Sequence, residues 1–412
     1  MTTTVRQQSN SHRLATSLGG DGFDNNGSAD RLPCVDAHVV LVTNFIPPHL
    51  SPMLRELSQR VRKLTILVST PMESNRGWEP AWDGLDVVVQ RTTTWSLPWR
   101  HPSGFSDTVH VHIPWDTIRQ LRQLQPDILI SDEFGLRTLF AACYQWRRPR
   151  LPFLIGVGMT DHTEKGRGWL RYLLRRWLVK QADFFAVTGE GGRRYLRSLK
   201  VASERVFVVP YSAEPKALYH GPVQRTDEEA RRLLFVGQVI ERKGIVPFTK
   251  ALIRYAQRHP DRPIEFVVVG GGPQLDILKA MQLPANLTMP LLGPCKFEQV
   301  LAQYQRSGIF VMPTLADEWG LVVNEAMTAG LPVLGCVYGQ AVEQLCEHGV
   351  TGWLFRTDHE EEMEQAIEEA LDTTPGRLAA MRDAARAAAL PLTPAHAADC
   401  FVRLLCTAWE GH

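Results

Sequence analysis

No two of the seven cysteines (Cys34, Cys143, Cys295, Cys336, Cys346, Cys400, Cys406) form a Cys-x-x-Cys pair. Scattered and odd in number, they argue against a zinc knuckle or a disulfide framework and for reduced thiols in a cytoplasmic setting. Charge of one sign is also lacking: 45 Lys or Arg stand against 44 Asp or Glu, a net +1. No global field therefore points to nucleic acid. No stretch approaches the roughly 20 apolar residues of a membrane-crossing helix. Residues 1–33 contain no apolar signal core, and their Ser, Thr, Asn and Gly content reads as a disordered tail. The first apolar strand is not followed by Gly-x-Gly-x-x-Gly, so a dinucleotide fingerprint is missing there. No cluster of metal-ligand residues is visible.

What is present is an ordinary globular composition, 44% hydrophobic and 22% charged over 412 residues. That is enough chain for two domains with full cores. Apolar β-branched runs suited to buried parallel strands recur at Ala37–Thr43, Leu64–Ser69, Pro126–Ser131, Pro152–Val157, Ala182–Thr188 and Arg205–Pro210. Helical patterns at Met53–Val61, Ile118–Leu124, Gly168–Gln181 and Glu190–Leu199 stand between them. The segment Met72–Ile113, rich in Trp, Thr and Pro, fits either a β-ribbon or a mobile acceptor-side loop. Tyr211–Arg231 has prolines, charges and no period, and reads as a linker. A second α/β series follows: strands at Leu233–Gly237, Ile264–Val269, Leu287–Leu292, Ile309–Met312, Pro332–Leu334 and Gly352–Phe355, with interleaved helices. Ala395–Trp409 is the last helix.

Phe310–Phe355 is the stretch on which function turns. Strand, Pro313, polar loop, helix from Leu321 and next strand form a βαβ unit, which places the loop at the carboxyl end of the sheet. The loop Ala316–Gly320 carries Asp317 and Glu318, and Glu325 lies about one turn into the helix. Helix-start amides favour an anion, and carboxylates grip hydroxyls. Together they suit a nucleotide sugar; an ordinary capped helix with solvated acids is the alternative. Lys243 before the helix at Ile245 is a second phosphate candidate. In the first half, Asp132 and Glu133 sit at a strand's carboxyl end and either face a ligand or serve as a solvated helix cap, the cap being the plainer reading. His162 also follows a strand end, where a lone His is usually structural.

Between Arg147 and Arg205 there are 14 Lys or Arg and 5 Asp or Glu. Within that region the Gly168–Gln181 helix gathers Trp169, Leu170, Leu173, Leu174, Trp177 and Leu178 on one half, with Arg171 and Arg175 opposite. The plainer expectation is a core helix with a solvated basic back. The alternative is peripheral contact with anionic lipid.

LLFVGQVIERKGI, FVVVGGGPQLDIL, LLGPCKFEQVLAQY and FVMPTLADEWGLVVNEAMTAGLPVL stand in the order and spacing of the retaining glycosyltransferases of family 4. ADFFAVTGEGGRRYLRSL and RVFVVPYS resemble the end of that family's first domain. The resemblance covers residues 35–412 and implies the GT-B fold: two facing Rossmann-like domains with a cleft between them. It implies an acceptor domain over 34–215, a donor domain over 216–394, and a helix from 395 to 412 crossing back to the first domain. Glu325 then matches the acid that holds the nucleotide ribose, and Lys243 the phosphate-binding lysine. Asp317 stands where the family has the first Glu of its Glu-x7-Glu pair; it is one methylene shorter and has Glu318 beside it, so either fills the sugar-contact role. Gln238 replaces a second phosphate-binding Arg, with Arg242 a substitute. Trp319, Gly320 and Leu321 match the loop whose amides approach phosphate and sugar. Gly237, Pro294 and Cys295 fall in the other donor-binding segments, and His162 matches a first-domain His near the reacting centre.

The resemblance implies transfer of a sugar, with retention, from a UDP- or GDP-linked donor to a carbohydrate or lipid-linked acceptor. It implies no metal and no further cofactor, and a setting in cell-envelope, exopolysaccharide or glycolipid synthesis, in the cytoplasm or peripheral at the inner membrane face. A nucleotide-sugar-binding protein with a decayed site, motivated by Asp317 and Gln238, and a GT-B epimerase are the competing classes.

Overall fold

The computed structural model describes residues 34–73, 79–213 and 225–411. The expected tail at 1–33 and the middle of the expected linker lie outside the described residues. The first sheet contains β1 (Val35–Thr43), β2 (Val61–Val68) and β3 (Asp86–Val89); β6 (Ile128–Asp132), β7 (Phe153–Val157), β8 (Phe184–Val187) and β9 (Val206–Val208) complete it. All pair in parallel, in the order β3-β2-β1-β6-β7-β8-β9. The unbroken apolar run of β1 is explained by cover on both faces. Val39 and Leu41 enter one core layer, while Val40 and Val42 enter the other.

β4 (Thr92–Arg100) and β5 (Ser106–Pro114) form the antiparallel ribbon that sequence left open against a mobile loop. The ribbon reaches the second domain. Ser106 N donates to Glu241 Oε2 at 3.1 Å, and Arg242 Nε lies 3.6 Å from Asp107 Oδ2.

The second sheet comprises β10 (Leu233–Val236), β11 (Ile264–Val269), β12 (Leu287–Thr288), β13 (Leu291–Gly293), β14 (Ile309–Met312), β15 (Val333–Cys336) and β16 (Gly352–Phe355). Its order is β12-β11-β10-β14-β15-β16, with β13 also on β11, again parallel. The single strand expected at Leu287–Leu292 is two, because Pro290 between them has no N–H for the ladder. Alternating residues again split between layers: Leu233 and Phe235 on one face, Leu234 on the other.

The Pro394–Glu410 helix leaves the second domain and packs on the first. Ala397, Val402, Leu404, Leu405 and Ala408 belong to the same core layer as β1. Thr393 caps its start by accepting from His396 N, and Arg60 Nε donates to Asp399 Oδ1 at 2.8 Å. This helix thereby ties the C-terminal end of the chain to the first domain. Two helices that the sequence pattern did not disclose, Leu136–Gln145 and Gln340–Leu345, are entered through Gly135 and Gly339 without side-chain caps.

The Trp169–Leu178 helix is oriented against the plainer expectation. Trp169 is 69%, Leu170 67% and Leu173 52% exposed, whereas Arg175 is only 2% exposed. The cause is Glu164, whose side chain is buried: its Oε2 accepts from the Arg175 guanidinium, which also donates to the Tyr195 hydroxyl. An ion pair with its own acceptor draws the polar face inward.

Candidate active site between the domains

After β14, Pro313 turns the chain into the acidic loop. Thr314 Oγ1 bonds Arg242 O and Ala316 O, each at 3.0 Å, and Leu315 N donates to Arg242 O at 2.8 Å. The loop is thereby laid against the Glu241–Gly244 turn. Gly244 has φ +64, and a Cβ there would sit 2.0 Å from Pro313 O, so only glycine permits the approach.

Asp317 faces its own domain. Its carboxylate takes the Lys243 ammonium on Oδ2 and lies 3.5 Å from Arg242 Nη1. Burial alone raises its pKa, but these two cations overcome that and hold it at about 2. Its backbone is tied down as well, with Asp317 N donating to Tyr338 O at 3.1 Å. Lys243 and Asp317, matched to phosphate and sugar contact, thus neutralise one another here. Arg242 also donates to Ala316 O at 2.9 Å, while Gln238 is exposed.

Glu318 points the other way, towards the carboxyl ends of the first sheet. A Cβ built on Gly158 would lie 3.9 Å from its Oε2 and equally 3.9 Å from the Tyr211 hydroxyl. The surrounding protein raises its pKa, reinforced by Glu133 and Glu164, although the side chain stays reachable from solvent. Asp132 joins this wall. Burial lifts it to about 6, and it folds over Gly156, where a Cβ would meet Asp132 Oδ1 at 2.3 Å. Glu133 has φ +62 and pairs with Arg137 at 3.2 Å. The solvated-cap reading of these two acids is therefore corrected: neither caps the Leu136–Gln145 helix, because a central strand delivers them into the cleft.

The Trp319 indole is buried and serves as an anchor, donating to Asn324 Oδ1 at 2.8 Å. Asn324 in turn donates to Tyr211 O at 3.2 Å. Gly320, at φ +97, makes the turn that starts the Val322–Thr328 helix, with Leu321 as its N-cap. Glu325 accepts from the buried Tyr304 hydroxyl at 2.9 Å. Burial raises its pKa to about 7, with Tyr304 pulling the other way. Opposite, the turns after β10 and β11 interlock. A Cβ on Gly270 would fall 1.8 Å from Gly237 O, and Val239 N donates to Gly271 O at 2.8 Å. Pro294 lies over Gly271, and Cys295 follows with its thiol 3.6 Å from Gly293 O.

His162 crosses from the first domain. Its Nε2 bonds Leu315 O at 2.8 Å, and its ring stacks on Tyr338 with centroids 4.0 Å apart. Burial lowers its pKa, which favours the neutral ring. Since a carbonyl can only accept, that bond puts the proton on Nε2 and leaves Nδ1 as acceptor. The structure thus gathers His162, Asp317, Glu318, Lys243 and Arg242 around one cleft, with Glu325 farther along the donor-domain helix. Tyr211, Tyr338 and Gln340 are cleft residues that sequence reasoning missed. Asp132 had a signal, its place at a strand's carboxyl end, but a helix cap is the plainer reading of that position. Among the described residues no group of three His, Cys, Asp or Glu is placed to hold a metal.

Residues 46–212 match the glycosyl transferase 4-like domain, and residues 230–373 match glycosyl transferases group 1. The chain belongs to this glycosyltransferase family. A D-inositol 3-phosphate glycosyltransferase of Corynebacterium aurimucosum is 28% identical over 225 residues, covering 50% of this chain and 53% of the relative. The chain spans about half the length of several such curated relatives. The alpha-monoglucosyldiacylglycerol synthase of Acholeplasma laidlawii is 21% identical, over 72% of this chain and 77% of its own. Among solved structures, Anabaena HepE in complex with UDP superposes with a TM-score of 0.66 at 15% identity, covering 90% of this chain and 99% of that one. The lipopolysaccharide outer core galactosyltransferase WaaB gives 0.68 at 11% identity, with coverage of 90% and 99%. Membership in this glycosyltransferase family and these superpositions establish the GT-B fold.

Proposed function

We propose that this glycosyltransferase moves a hexose from a UDP- or GDP-linked donor to a hydroxyl of a carbohydrate or lipid-linked acceptor, with retention and without a resident metal. The observation that carries the reading is the ionised Asp317 held between Lys243 and Arg242 at the mouth of the donor domain. A donor diphosphate competes for those two cations and thereby frees the carboxylate to accept from sugar hydroxyls. As the bond from the anomeric carbon to the phosphate breaks, Lys243 stabilises the leaving charge. The acceptor oxygen attacks from the same face, and its proton passes to the departing phosphate oxygen. A decayed binding protein is disfavoured because Lys243 is kept and Arg242, 3.5 Å from Asp317, offers a second cation beside it in place of the one lost at Gln238.

Product analysis with UDP- and GDP-hexoses separates the classes: transfer, an isomerised donor sugar, or binding without turnover. Within that assay Asp317→Ala is expected to lower kcat by about a hundredfold, in the range for losing one preorganised transition-state contact, without weakening nucleotide binding, because Lys243 and Arg242 then lose the carboxylate that competes with the diphosphate. Glu318→Ala, on the acceptor side, should instead raise the acceptor KM. Near-full activity of both variants would remove this loop from the reaction.

No helix among the described residues is long and apolar enough to cross a membrane. We further propose reversible docking on anionic membrane at its inner face, because the Trp169–Leu178 helix turns its apolar side outward, with Trp177 also 44% exposed. The ribbon extends this surface with exposed Trp95 and Leu97, and Arg167 lies 3.4 Å over the Trp99 ring. The similarity to a glycolipid synthase supports such a placement. Vesicle sedimentation is expected to show binding only with anionic lipid. High salt should weaken it, since screening acts within about 8 Å at physiological ionic strength. Trp169→Ser with Trp177→Ser should abolish it; equal recovery in the supernatant throughout would leave the face idle.

A further inference from the structure

Gln340 opens a short helix in the second domain, yet its side chain is 3% exposed and is spent on the first domain. Its Nε2 donates to Thr188 Oγ1 at 2.6 Å and to Glu318 O at 2.6 Å, while its Oε1 accepts from Gly192 N at 3.0 Å. Both amide protons and one lone pair are thus committed, two of the three contacts crossing the domain boundary. The receiving turn lacks side chains where Gln340 lies. A Cβ on Gly191 would meet Gln340 Oε1 at 2.9 Å, and one on Gly189 would meet Gln340 Cδ at 3.3 Å. Gly189 has φ −176, an extended backbone open to any residue, so its missing Cβ serves the approach and not the turn. Neighbouring contacts run along the same seam. Glu190 N donates to Gln344 Oε1 at 3.2 Å, and Arg194 bridges Asp161 at 3.0 Å and Glu343 at 2.8 Å.

The third Gln340 contact gives the seam its consequence. The Glu318 carbonyl belongs to the residue that follows Asp317, so whatever holds Gln340 also holds the acidic loop. We infer that Gln340 is a positioning residue that couples closure of the two domains to the working geometry of the Asp317–Glu318 loop, through the Thr188–Gly192 turn. The inference rests on the reading of that loop as the donor-sugar contact. Glutamate cannot replace it: a carboxylate still accepts from Gly192 N but has no proton for Glu318 O or Thr188 Oγ1.

The test uses the full chain with Gln340→Ala, Gln340→Glu and Thr188→Val. Hydrogen exchange resolved to Gly189–Gly192 reads the seam. UDP calorimetry reads the nucleotide site, and turnover of UDP- and GDP-hexoses reads the loop. In Gln340→Ala the Gly192 amide is expected to exchange at least about tenfold faster, with the melting temperature and β8 exchange held. UDP affinity should stay within about twofold, while kcat falls at least about tenfold. Gln340→Glu should restore Gly192 protection without restoring kcat, and Thr188→Val should show a smaller version of the alanine result. Unchanged Gly192 exchange in Gln340→Ala overturns the coupling. Faster exchange with undiminished kcat overturns the positioning role. If Gln340→Ala fails to fold, the isosteric Gln340→Glu carries the kcat test. A wild type that neither binds nor turns over nucleotide sugars fails the proposed function instead, and the exchange result then decides the seam by itself.

Discussion

Glu325→Ala is expected to weaken nucleoside diphosphate binding by about a hundredfold. A ribose offers two hydroxyl donors, and a carboxylate accepts both. Hydrogen bonds to a charged group contribute roughly 1.5–3 kcal/mol each, so even the low end for two of them is about two decades in Kd. The substitution has a second effect that must be separated from the first. Tyr304 is completely buried and gives its hydroxyl to Glu325, so alanine orphans it. An unsatisfied buried donor costs about 1–3 kcal/mol of stability. Tyr304→Phe in the alanine background should recover that stability and leave binding weak. Calorimetry with UDP and GDP is the measurement; wild-type affinity in Glu325→Ala would remove this residue from the donor site.

The same carboxyl gives the site a pH signature. Burial raises its pKa from the ordinary 4.5 to about 7 in the folded chain. Between those values the native state binds more protons than the unfolded state. The stability this contributes is complete below about 4.5 and is lost as pH rises through about 7. Ribose hydroxyls favour the ionised form, so nucleotide affinity should climb as pH approaches about 7 from below and level off above it. Glu325→Gln removes the titrating group, and both slopes should flatten with it.

Strands were legible wherever both faces of a sheet are covered. Leu233–Val236, Ile264–Val269 and Ile309–Met312 are nearly uninterrupted apolar runs because alternate residues enter two core layers. The acidic loop was legible as a polar break at the end of such a run. Gln340 was not, because its partner Thr188 is 152 residues away and no local pattern encodes it. His162 stood out only through family resemblance, for the same reason: Leu315 is 153 residues distant. Asp132 and Glu133 were misread because a cap and a cleft wall look alike until the strand order is known. The Trp169–Leu178 helix shows a different limit. Its periodicity located the helix and its two faces, but periodicity does not say which face turns inward. A carboxylate in the preceding loop decided that.

That carboxylate is the subject of the other large effect. Glu164→Ala is expected to destabilise the chain by about 3–5 kcal/mol, the usual cost of leaving a buried charge without its partner. Among the described residues, Arg175 would retain only the Tyr195 hydroxyl and the faces of Phe134 and Tyr195, each 5.5 Å from its guanidinium carbon. Confined to a first domain of ordinary size, such a loss lowers the melting temperature by on the order of 10 °C. The reverse truncation should be milder. In Arg175→Met, Glu164 keeps Arg167 Nε at 3.8 Å and Arg171 Nε at 4.0 Å, and the methionine fills the vacated volume. Combining Glu164→Leu with Arg175→Met should cost less than Glu164→Ala alone, because no buried charge is then stranded. Glu164 also lies two residues beyond His162, in a turn pinned by Thr160 N donating to Thr163 Oγ1 at 2.9 Å. Loss of the pair should therefore loosen the histidine as well as the helix, lowering turnover at temperatures where the fold persists. Thermal unfolding of the three variants orders the costs. If Arg175→Met proved the most damaging, the helix would be held by packing of the arginine stem, not by the ion pair that turns its apolar face outward.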